Sequence, residues 1–249
     1  MRAALLALFA VLLMGQRDPV LVPEVSQHEV QVRQGFVGQE LLLFGAVLDP
    51  AGGAGQDYDI VVVLKGPSGP MRLREKERFL GVWVNAESSD FRSVPSYFAV
   101  ASSRPINEIV DDKTAAIYEF GTAYIQLSPS GSIDPVSERR FAAGLVDLKR
   151  RQGLYREDFG GVQINEGVLY QARISLPSNV TTGTYSAETF AVTRGRVIAS
   201  AVAEVEVRKV GFEKRVEDSA NDFGLAYGLI AVLLSVTMGW GAGRLFARL

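Results

Sequence analysis

The side chains that most often do chemistry in proteins are scarce in this sequence. Its 249 residues contain a single histidine, His28, and no cysteine. A Ser-His-Asp triad or a histidine-based metal site has little to draw on, and no thiol is present to act as a nucleophile or metal ligand. His28 is interpreted as a surface residue where a strand begins, with a catalytic base as the less favoured alternative. We therefore expect neither enzymatic activity nor a cofactor.

Carboxylate pairs are the other candidates for chemistry. Asp57 and Asp59 follow a glycine-rich loop, and with Asp49 they could hold Ca²⁺ through oxygen ligands. Solvated loop acids are the favoured interpretation. Asp111 and Asp112 fall in a predicted helix, where adjacent side chains diverge by about 100° and suit acid–base work poorly. No metal site is predicted.

A basic set and an aromatic stretch could bind rather than react. The basic side chains are Arg139, Arg140, Lys149, Arg150, Arg151 and Arg156. They could face anionic lipid or an acidic partner, although a solvated helix face is favoured. The aromatic stretch offers a candidate surface or ligand region for a carbohydrate or peptide, and its side chains are Phe91, Tyr97, Phe98 and Arg104. A core strand followed by a loop is the favoured interpretation of that stretch.

Two apolar segments frame the region that would position these groups. Residues 223–243 form a run of 21 residues without a charge. As a helix this run is roughly 31 Å long, which matches the hydrocarbon core of a bilayer. Aromatic and basic residues at its ends are typical of membrane interfaces. The run predicts a transmembrane helix, with a fully buried core helix as the alternative.

The segment at residues 1–18 has the pattern of a signal peptide. Arg2 is followed by twelve apolar residues at 3–14, which is long enough for a signal sequence and too short to span a bilayer comfortably. An uncleaved N-terminal anchor is the alternative. Either interpretation predicts that the segment which follows, residues 19–216, is exported.

Charge asymmetry predicts the orientation of the chain. Arg244 and Arg248 follow the apolar run, whereas the segment before it is mixed and slightly acidic. Positive residues remain on the cytoplasmic side, so residues 244–249 are predicted to be a cytoplasmic tail. A net charge of −2 argues against a nucleic-acid surface.

The exported region is predicted to be mainly β. Short runs rich in Val, Leu and aromatic residues, separated by Gly, Pro and Asp, predict strands at 29–34, 40–49, 57–67, 71–77 and 79–87. Strands return as a predicted β-meander at 167–177, 183–193 and 196–209. Arg194-Gly195 is the predicted hairpin turn. The predicted fold is an immunoglobulin-like β-sandwich with a helical insertion at about 105–152, and two small β domains joined by helices are the alternative.

The helical insertion contains two predicted helices. Apolar residues at helical spacing predict the first over 105–121. The second begins at Asp134-Pro135, with Asp134 as its cap and proline in its first turn. Its predicted apolar stripe comprises Phe141, Leu145 and Leu148. Lys149 and the neighbouring arginines are predicted to face outward.

Several stretches carry a family resemblance that covers residue 21 to the end of the chain. They read LVPEVSQHEVQV, LLLFGAV, YDIVVVLKGPSG, GVWVNAESSDF, VPSYFAVASSRPINEI and LYQARISLPSNVTTGTYSAETF. The chain resembles the alphaproteobacterial putative transmembrane protein family. The resemblance implies a bacterial inner-membrane protein with an exported, hence periplasmic, domain and a C-terminal span. The family has no assigned function, so the resemblance implies no activity, although it suggests a transporter as the neighbouring protein.

Small residues recur along the predicted transmembrane helix. Ala231, Ser235, Gly239 and Gly243 are spaced by four, and Gly224 and Gly228 lie on a neighbouring stripe. Helices in lipid associate through close packing rather than hydrophobic burial, which small residues permit. The stripe predicts a packing face for a homodimer or a multi-span partner, with chance recurrence as the alternative.

The sequence thus predicts a single-span protein that contacts the lipid bilayer and works as a non-enzymatic accessory or interaction protein of a membrane complex. The alternative is a periplasmic β-sandwich module that binds a small ligand or cell-envelope polymer through residues 91–105. The first interpretation depends on the small-residue stripe, and the second requires a concave aromatic pocket.

Overall fold

The computed structural model describes residues 19–32, 37–48, 58–131, 134–210, 216 and 220–246. The predicted signal peptide lies outside these residues. Strands make up 51% of the structure and helices 28%, which confirms the mainly β class. Contacts divide the chain into two units, one of residues 1–30 and 37–207 and one of residues 31–36 and 208–249.

The strands form three sheets. They are β1 Val20–Val25, β2 Glu29–Val32, β3 Gly38–Leu48, β4 Asp59–Lys65, β5 Ser68–Phe79, β6 Val82–Pro95, β7 Phe98–Ser102, β8 Tyr155–Phe159, β9 Val162–Asn165, β10 Leu169–Pro177, β11 Gly183–Thr193 and β12 Arg196–Lys209. A four-stranded sheet has the order β1-β3-β10-β9, and a six-stranded sheet has the order β2-β12-β11-β4-β7-β8. Strands β5 and β6 pair as a separate ribbon. The β7–β8 pair is parallel.

Burial patterns explain where each strand lies. The side chains of β4 from Ile60 to Leu64 are all buried, because β4 lies between β11 and β7 in the six-stranded sheet. A strand covered on both faces reads as a continuous apolar run. Strand β10 alternates instead, and its buried side chains are Tyr170, Ala172, Ile174 and Leu176. Its other residues therefore face away from the core.

Two strand predictions are corrected. Strand β10 pairs with β3 and β9, whereas β11 pairs with β12 and β4, so the predicted meander is wrong. Its hairpin turn is confirmed, because Arg194 and Gly195 have φ of 49° and 75° between β11 and β12. The predicted strand at 79–87 is interrupted at Leu80-Gly81, which is the turn of the β5–β6 ribbon. Alternation reveals the buried face of a strand but not its partner.

The insertion begins with two short helices where a single one was predicted. They are α1 Ile106–Ile109 and α2 Asp112–Tyr118, followed by a 3₁₀ turn at Thr122–Tyr124. The break occurs because Val110 is extended, with φ of −140°, and the Asp111 carboxylate accepts the Thr114 N–H at 2.9 Å. Asp111 is therefore the cap of α2 and not a residue inside a helix.

Helix α3, Pro135–Arg151, begins as predicted, with the Asp134 carboxylate accepting two N–H groups of its first turn. Its buried face differs from the prediction. Leu148 is 43% exposed, whereas Lys149, predicted to face outward, is 7% exposed. The buried residues Phe141, Leu145 and Lys149 follow a spacing of four, which defines one side of a helix. Burial lowers the pKa of Lys149.

The second unit contains helix α4, Gly224–Phe246, of 23 residues. Its segment Gly224–Arg244 is the one helix within the described residues that is long and apolar enough to cross a membrane, and its side chains are exposed. A helix that is apolar on all sides and not covered by protein fits a lipid environment. The predicted transmembrane helix is therefore present at the expected position.

Candidate functional site

The small residues of α4 lie on an exposed helix surface. A Cβ added at any of the four glycines of the predicted packing face, Gly224, Gly228, Gly239 and Gly243, would meet no atom within 4 Å. The Ser235 hydroxyl donates to the Ala231 carbonyl at 2.8 Å. Ser235 is thus satisfied within the helix and contributes only its small size to the surface. The packing face remains a prediction, with room beside it for a second helix.

The predicted aromatic surface region belongs to the core. Phe91, Tyr97 and Phe98 are all buried. The Tyr97 ring lies 6.0 Å from that of Tyr185, and the Phe98 ring lies 5.9 Å from that of Tyr155. Burial raises the pKa of Tyr97, against the opposing effect of a nearby arginine charge. These rings therefore pack between strands. The favoured core-strand interpretation is confirmed, and the alternative of an aromatic surface region is wrong.

Arg104, the fourth residue of that region, forms an ion pair. Its guanidinium donates to both carboxylate oxygens of Asp59, at 2.9 and 2.5 Å, and the Ser103 hydroxyl donates to the same carboxylate at 2.8 Å. Burial acts to raise the pKa of Asp59, but the hydrogen bonds from Arg104 and Ser103 outweigh it, so the pKa is lowered. Asp59 is thus a satisfied structural carboxylate.

Of the three acids proposed to bind calcium, only Asp59 lies within the described residues. Asp49 and Asp57 lie outside the described residues, and Asp59 is already paired. Across the described ranges, no group of three or more acids and histidines is placed to hold a metal ion. His28 is exposed and lies 3.1 Å from the carboxylate of Glu24.

The basic set is largely balanced by acidic side chains. Arg140 lies 3.4 Å from a carboxylate oxygen of Glu75 and also pairs with Glu87. Arg150 pairs with Glu157 at 2.5 Å, and Arg151 pairs with Asp147 at 2.7 Å. Together with the burial of Lys149, these pairs leave little of the continuous positive face that the set suggested.

Glu157 organises the groove beside α3. Its carboxylate accepts the main-chain N–H of Thr122 at 2.6 Å and the Thr122 hydroxyl at 2.8 Å, besides pairing with Arg150. The groove has a volume of about 530 Å³ and is lined by both apolar and charged residues. The three contacts of this carboxylate hold Thr122 and Arg150 in place beside the groove.

The four-stranded sheet exposes an apolar face that the sequence reasoning did not single out. We call it the outer apolar face, and it comprises Val20, Val22, Phe44, Leu48 and Leu169. These side chains are 39% to 56% exposed. Val22, Phe44 and Leu169 also line a groove of about 550 Å³. Strand register brings them together, since Val20 lies opposite Leu48 and Ala46 lies opposite both Val22 and Leu169. Polar residues surround them, namely Glu24, Glu40, Gln171 and Arg173.

The sequence carries a signal for this face. In β1 the buried residues are Leu21 and Val25, yet the outward Val20 and Val22 are also apolar. The apolar run of β3 likewise places Phe44 outward, whereas Leu41, Leu43 and Val47 are buried. When a strand has apolar residues on both faces and only one face is covered by the core, the residues of the other face are exposed unless a partner covers them.

A β-rich unit with an exposed apolar face, in a chain that also holds a membrane-spanning helix, defines a membrane-anchored protein. The family model described as "Putative transmembrane protein (Alph_Pro_TM)" matches residues 20–248, and the chain belongs to this family. No curated protein matches the chain. Among solved structures it is similar to Spo0M, a sporulation control protein from Bacillus subtilis, at 8% identity and a TM-score of 0.31. That likeness covers 83% of this chain and 56% of the other, and it assigns no function.

Proposed function

We propose that this protein is a non-enzymatic, membrane-anchored interaction protein. Helix α4 holds it in the bilayer, and its β-rich unit binds a protein of the same membrane complex, such as a transporter, through the outer apolar face. The observation that supports this function is that face, where five large apolar side chains from three strands lie together on the surface. Exposed apolar patches on folded domains are typical of interaction sites.

The composition of the face favours a protein as the partner. Its apolar centre is bordered by polar and charged side chains, which is the usual arrangement of protein interfaces. Phe44 lies at the border of the apolar side chains, opposite Glu24 on one side and Gln171 on the other. Large aromatic side chains at protein interfaces are a common source of binding energy.

The proposal includes the topology expected from the sequence. Residues 1–18 export the chain, the β-rich unit lies in the periplasm of a bacterial inner membrane, and the C-terminus is cytoplasmic. At the C-terminal end of α4 the Arg244 guanidinium lies 5.1 Å from the Trp240 ring centre, an arrangement suited to a membrane interface. An immunoglobulin-like sandwich is the proposed finer fold, supported by the Tyr97 hydrogen bond between the two larger sheets.

Ligand binding is the second candidate. A cleft of about 300 Å³ is lined by two arginines, Arg156 and Arg173, and by two acids, Glu157 and Asp158. This mixed set suits a small polar ligand, or a polar segment of a cell-envelope polymer, that carries both charges. Enhanced thermal stability on adding such a ligand, lost in Arg156→Gln, would favour this candidate over a protein partner.

Co-purification from native membranes tests the main proposal. We expect the wild-type chain to bring down a membrane protein. Phe44→Arg should reduce its recovery about tenfold or more, because the largest apolar side chain of the face is replaced by a charge. Val202→Arg is the matched control, since Val202 is 59% exposed on β12 in the other sheet. Equal recovery with Phe44→Arg and Val202→Arg would contradict the proposal, as would the absence of any co-purifying protein.

A further inference from the structure

The β5–β6 ribbon is held firmly at one end only. Phe91 and Val94 of β6 pack in a buried cluster with Phe141 and Leu145 of α3. Further along the ribbon, Arg140 of α3 reaches carboxylates on both strands, as described above. Residues 76–86 lie beyond these contacts, and we call them the ribbon tip. Every residue of the ribbon tip is exposed.

The ribbon tip is apolar on both faces and at its end. Phe79, Leu80, Val82 and Trp83 are 64% to 89% exposed. Phe79 and Val82 are paired on one face of the ribbon, and Trp83 is paired with Arg78 on the other. A protein partner normally covers one face of a ribbon. A ribbon end with exposed apolar side chains on both faces fits a fluid apolar medium, as found at the boundary between headgroups and acyl chains.

The turn at the tip is built from an unfavourable residue. Leu80 has φ of 48° and Gly81 has φ of 86°. Two-residue turns with both angles positive favour Asn-Gly, Asp-Gly or Gly-Gly, because a branched side chain is strained there. Leucine thus stands at the most exposed position of the ribbon at a conformational cost, which indicates a role for its apolar side chain.

Basic residues follow the apolar tip at a suitable distance. Arg74, Lys76 and Arg78 alternate along β5 and therefore share one face. At about 3.3 Å per residue, Arg78 lies roughly 7 Å and Lys76 roughly 13 Å from Leu80. Interfacial segments bury their apolar side about 5–10 Å deep, which would bring these cations to the phosphate level. Glu77 lies on the opposite face, and Glu75 is paired with Arg140.

We infer that the ribbon tip inserts into the interface of an anionic lipid bilayer. Phe79, Leu80, Val82 and Trp83 occupy the acyl boundary, and Lys76 and Arg78 contact lipid phosphates. This contact is separate from the outer apolar face and from the span α4, so it adds a second attachment between the protein and a membrane.

Trp83 makes the inference directly measurable, because the chain has only two tryptophans. The full-length Trp240→Phe variant leaves Trp83 as the single tryptophan, which is excited selectively at wavelengths where tyrosine does not absorb. It is reconstituted into vesicles of brominated phosphatidylcholine with phosphatidylglycerol, and lipid quenching is compared with quenching by aqueous acrylamide. We expect strong quenching by brominated lipid, protection from acrylamide, and weaker lipid quenching when phosphatidylglycerol is omitted.

Leu80→Asn in the same background is the decisive variant, because asparagine favours this turn and removes the apolar side chain. We expect this variant to remain folded, and the fraction of Trp83 that is quenched by brominated lipid to fall at least about tenfold. Ile117→Asn, at another exposed position, is the control and should insert normally. Trp83 that is open to acrylamide and unquenched by lipid would overturn the inference. Protection without lipid quenching would overturn it in favour of a protein covering the tip.

Discussion

The hydroxyl of Tyr97 donates a hydrogen bond to the main-chain carbonyl of Ser175 at 3.0 Å. Tyr97 immediately precedes β7 of the six-stranded sheet, and Ser175 lies on β10 of the four-stranded sheet. Because Tyr97 is completely buried, its hydroxyl has no water to replace this acceptor. The contact therefore links the two larger sheets at a fixed point, and the outer apolar face lies on the far side of one of them.

Tyr97→Phe removes this link without creating a cavity. We expect the free energy of unfolding to fall by about 1–2 kcal/mol, because the hydrogen bond from a buried hydroxyl is lost. Urea unfolding of the detergent-solubilised full-length protein measures the change. Tyr118→Phe is the control, since within the described residues the Tyr118 hydroxyl has no hydrogen-bond partner. An equal effect of the two substitutions would show that the inter-sheet contact carries no stability of its own.

Gly45 of β3 has to be glycine. A Cβ at this position would lie 2.2 Å from the Val22 carbonyl oxygen and 2.6 Å from the Tyr170 hydroxyl. We expect Gly45→Ala to destabilise the protein by about 1–3 kcal/mol or more, because β1 and Tyr170 must both move. Gly144→Ala, in open space on α3, should instead stabilise by about 0.5–1 kcal/mol. Thermal unfolding distinguishes the expected loss of stability in Gly45→Ala from the expected gain in Gly144→Ala. A Gly45→Ala variant as stable as wild type would contradict this packing.

The Arg104–Asp59 pair gives a defined pH dependence. The pKa of Asp59 is lowered below its ordinary value of 3.8 on folding. Its contribution to stability is therefore present above about pH 4 and is lost as the pH falls through the folded-state pKa. We expect Arg104→Gln to cost up to about 1 kcal/mol at neutral pH, since the pair is partly exposed. The difference from wild type should shrink below about pH 4, whereas a pH-independent difference would exclude this linkage. Arg196→Gln is the control for loss of an exposed arginine.

The packing face of α4 predicts association within the membrane. Ser235→Leu combined with Gly239→Leu should weaken crosslinking to a second copy or to a multi-span protein about tenfold, because bulky side chains separate the helix backbones. Thr237→Leu combined with Gly241→Leu is the control, since it replaces one hydroxyl residue and one glycine by leucine on the opposite side of the helix. Identical crosslinking by both double variants would show that α4 anchors the protein in the membrane without a specific packing face.

Much of the fold follows from local pattern. Strands β11 and β12 and their turn, the cap at Asp134 and the span α4 are specified by residues near one another in the chain. Strand pairing is not, because the choice of β3 rather than β11 as the neighbour of β10 depends on contacts distant in sequence. The break at Val110 was missed because apolar spacing continues across it, whereas the capping carboxylate of Asp111 favours a new helix start.

The candidate surfaces likewise depend on contacts that are distant in sequence. The aromatic residues near Phe98 allow both a core strand and a ligand surface, because polar residues surround them in sequence, and strand pairing shows that their rings are buried. The outer apolar face is assembled from β1, β3 and β10, so no single segment displays it. The ribbon tip was visible as an apolar run, but it could not be distinguished from a core strand until its turn at Leu80 was located.

The most direct test of the account is site-specific photo-crosslinking from position 44 in native membranes. A photoreactive phenylalanine analogue replaces Phe44 in the full-length chain, and the same analogue at Val202 is the comparison. An interaction protein that docks through the outer apolar face should give a discrete crosslinked membrane protein from position 44 and none from position 202. Absence of a protein crosslink at position 44, or the same products from both positions, would contradict the assignment of this face as the docking surface.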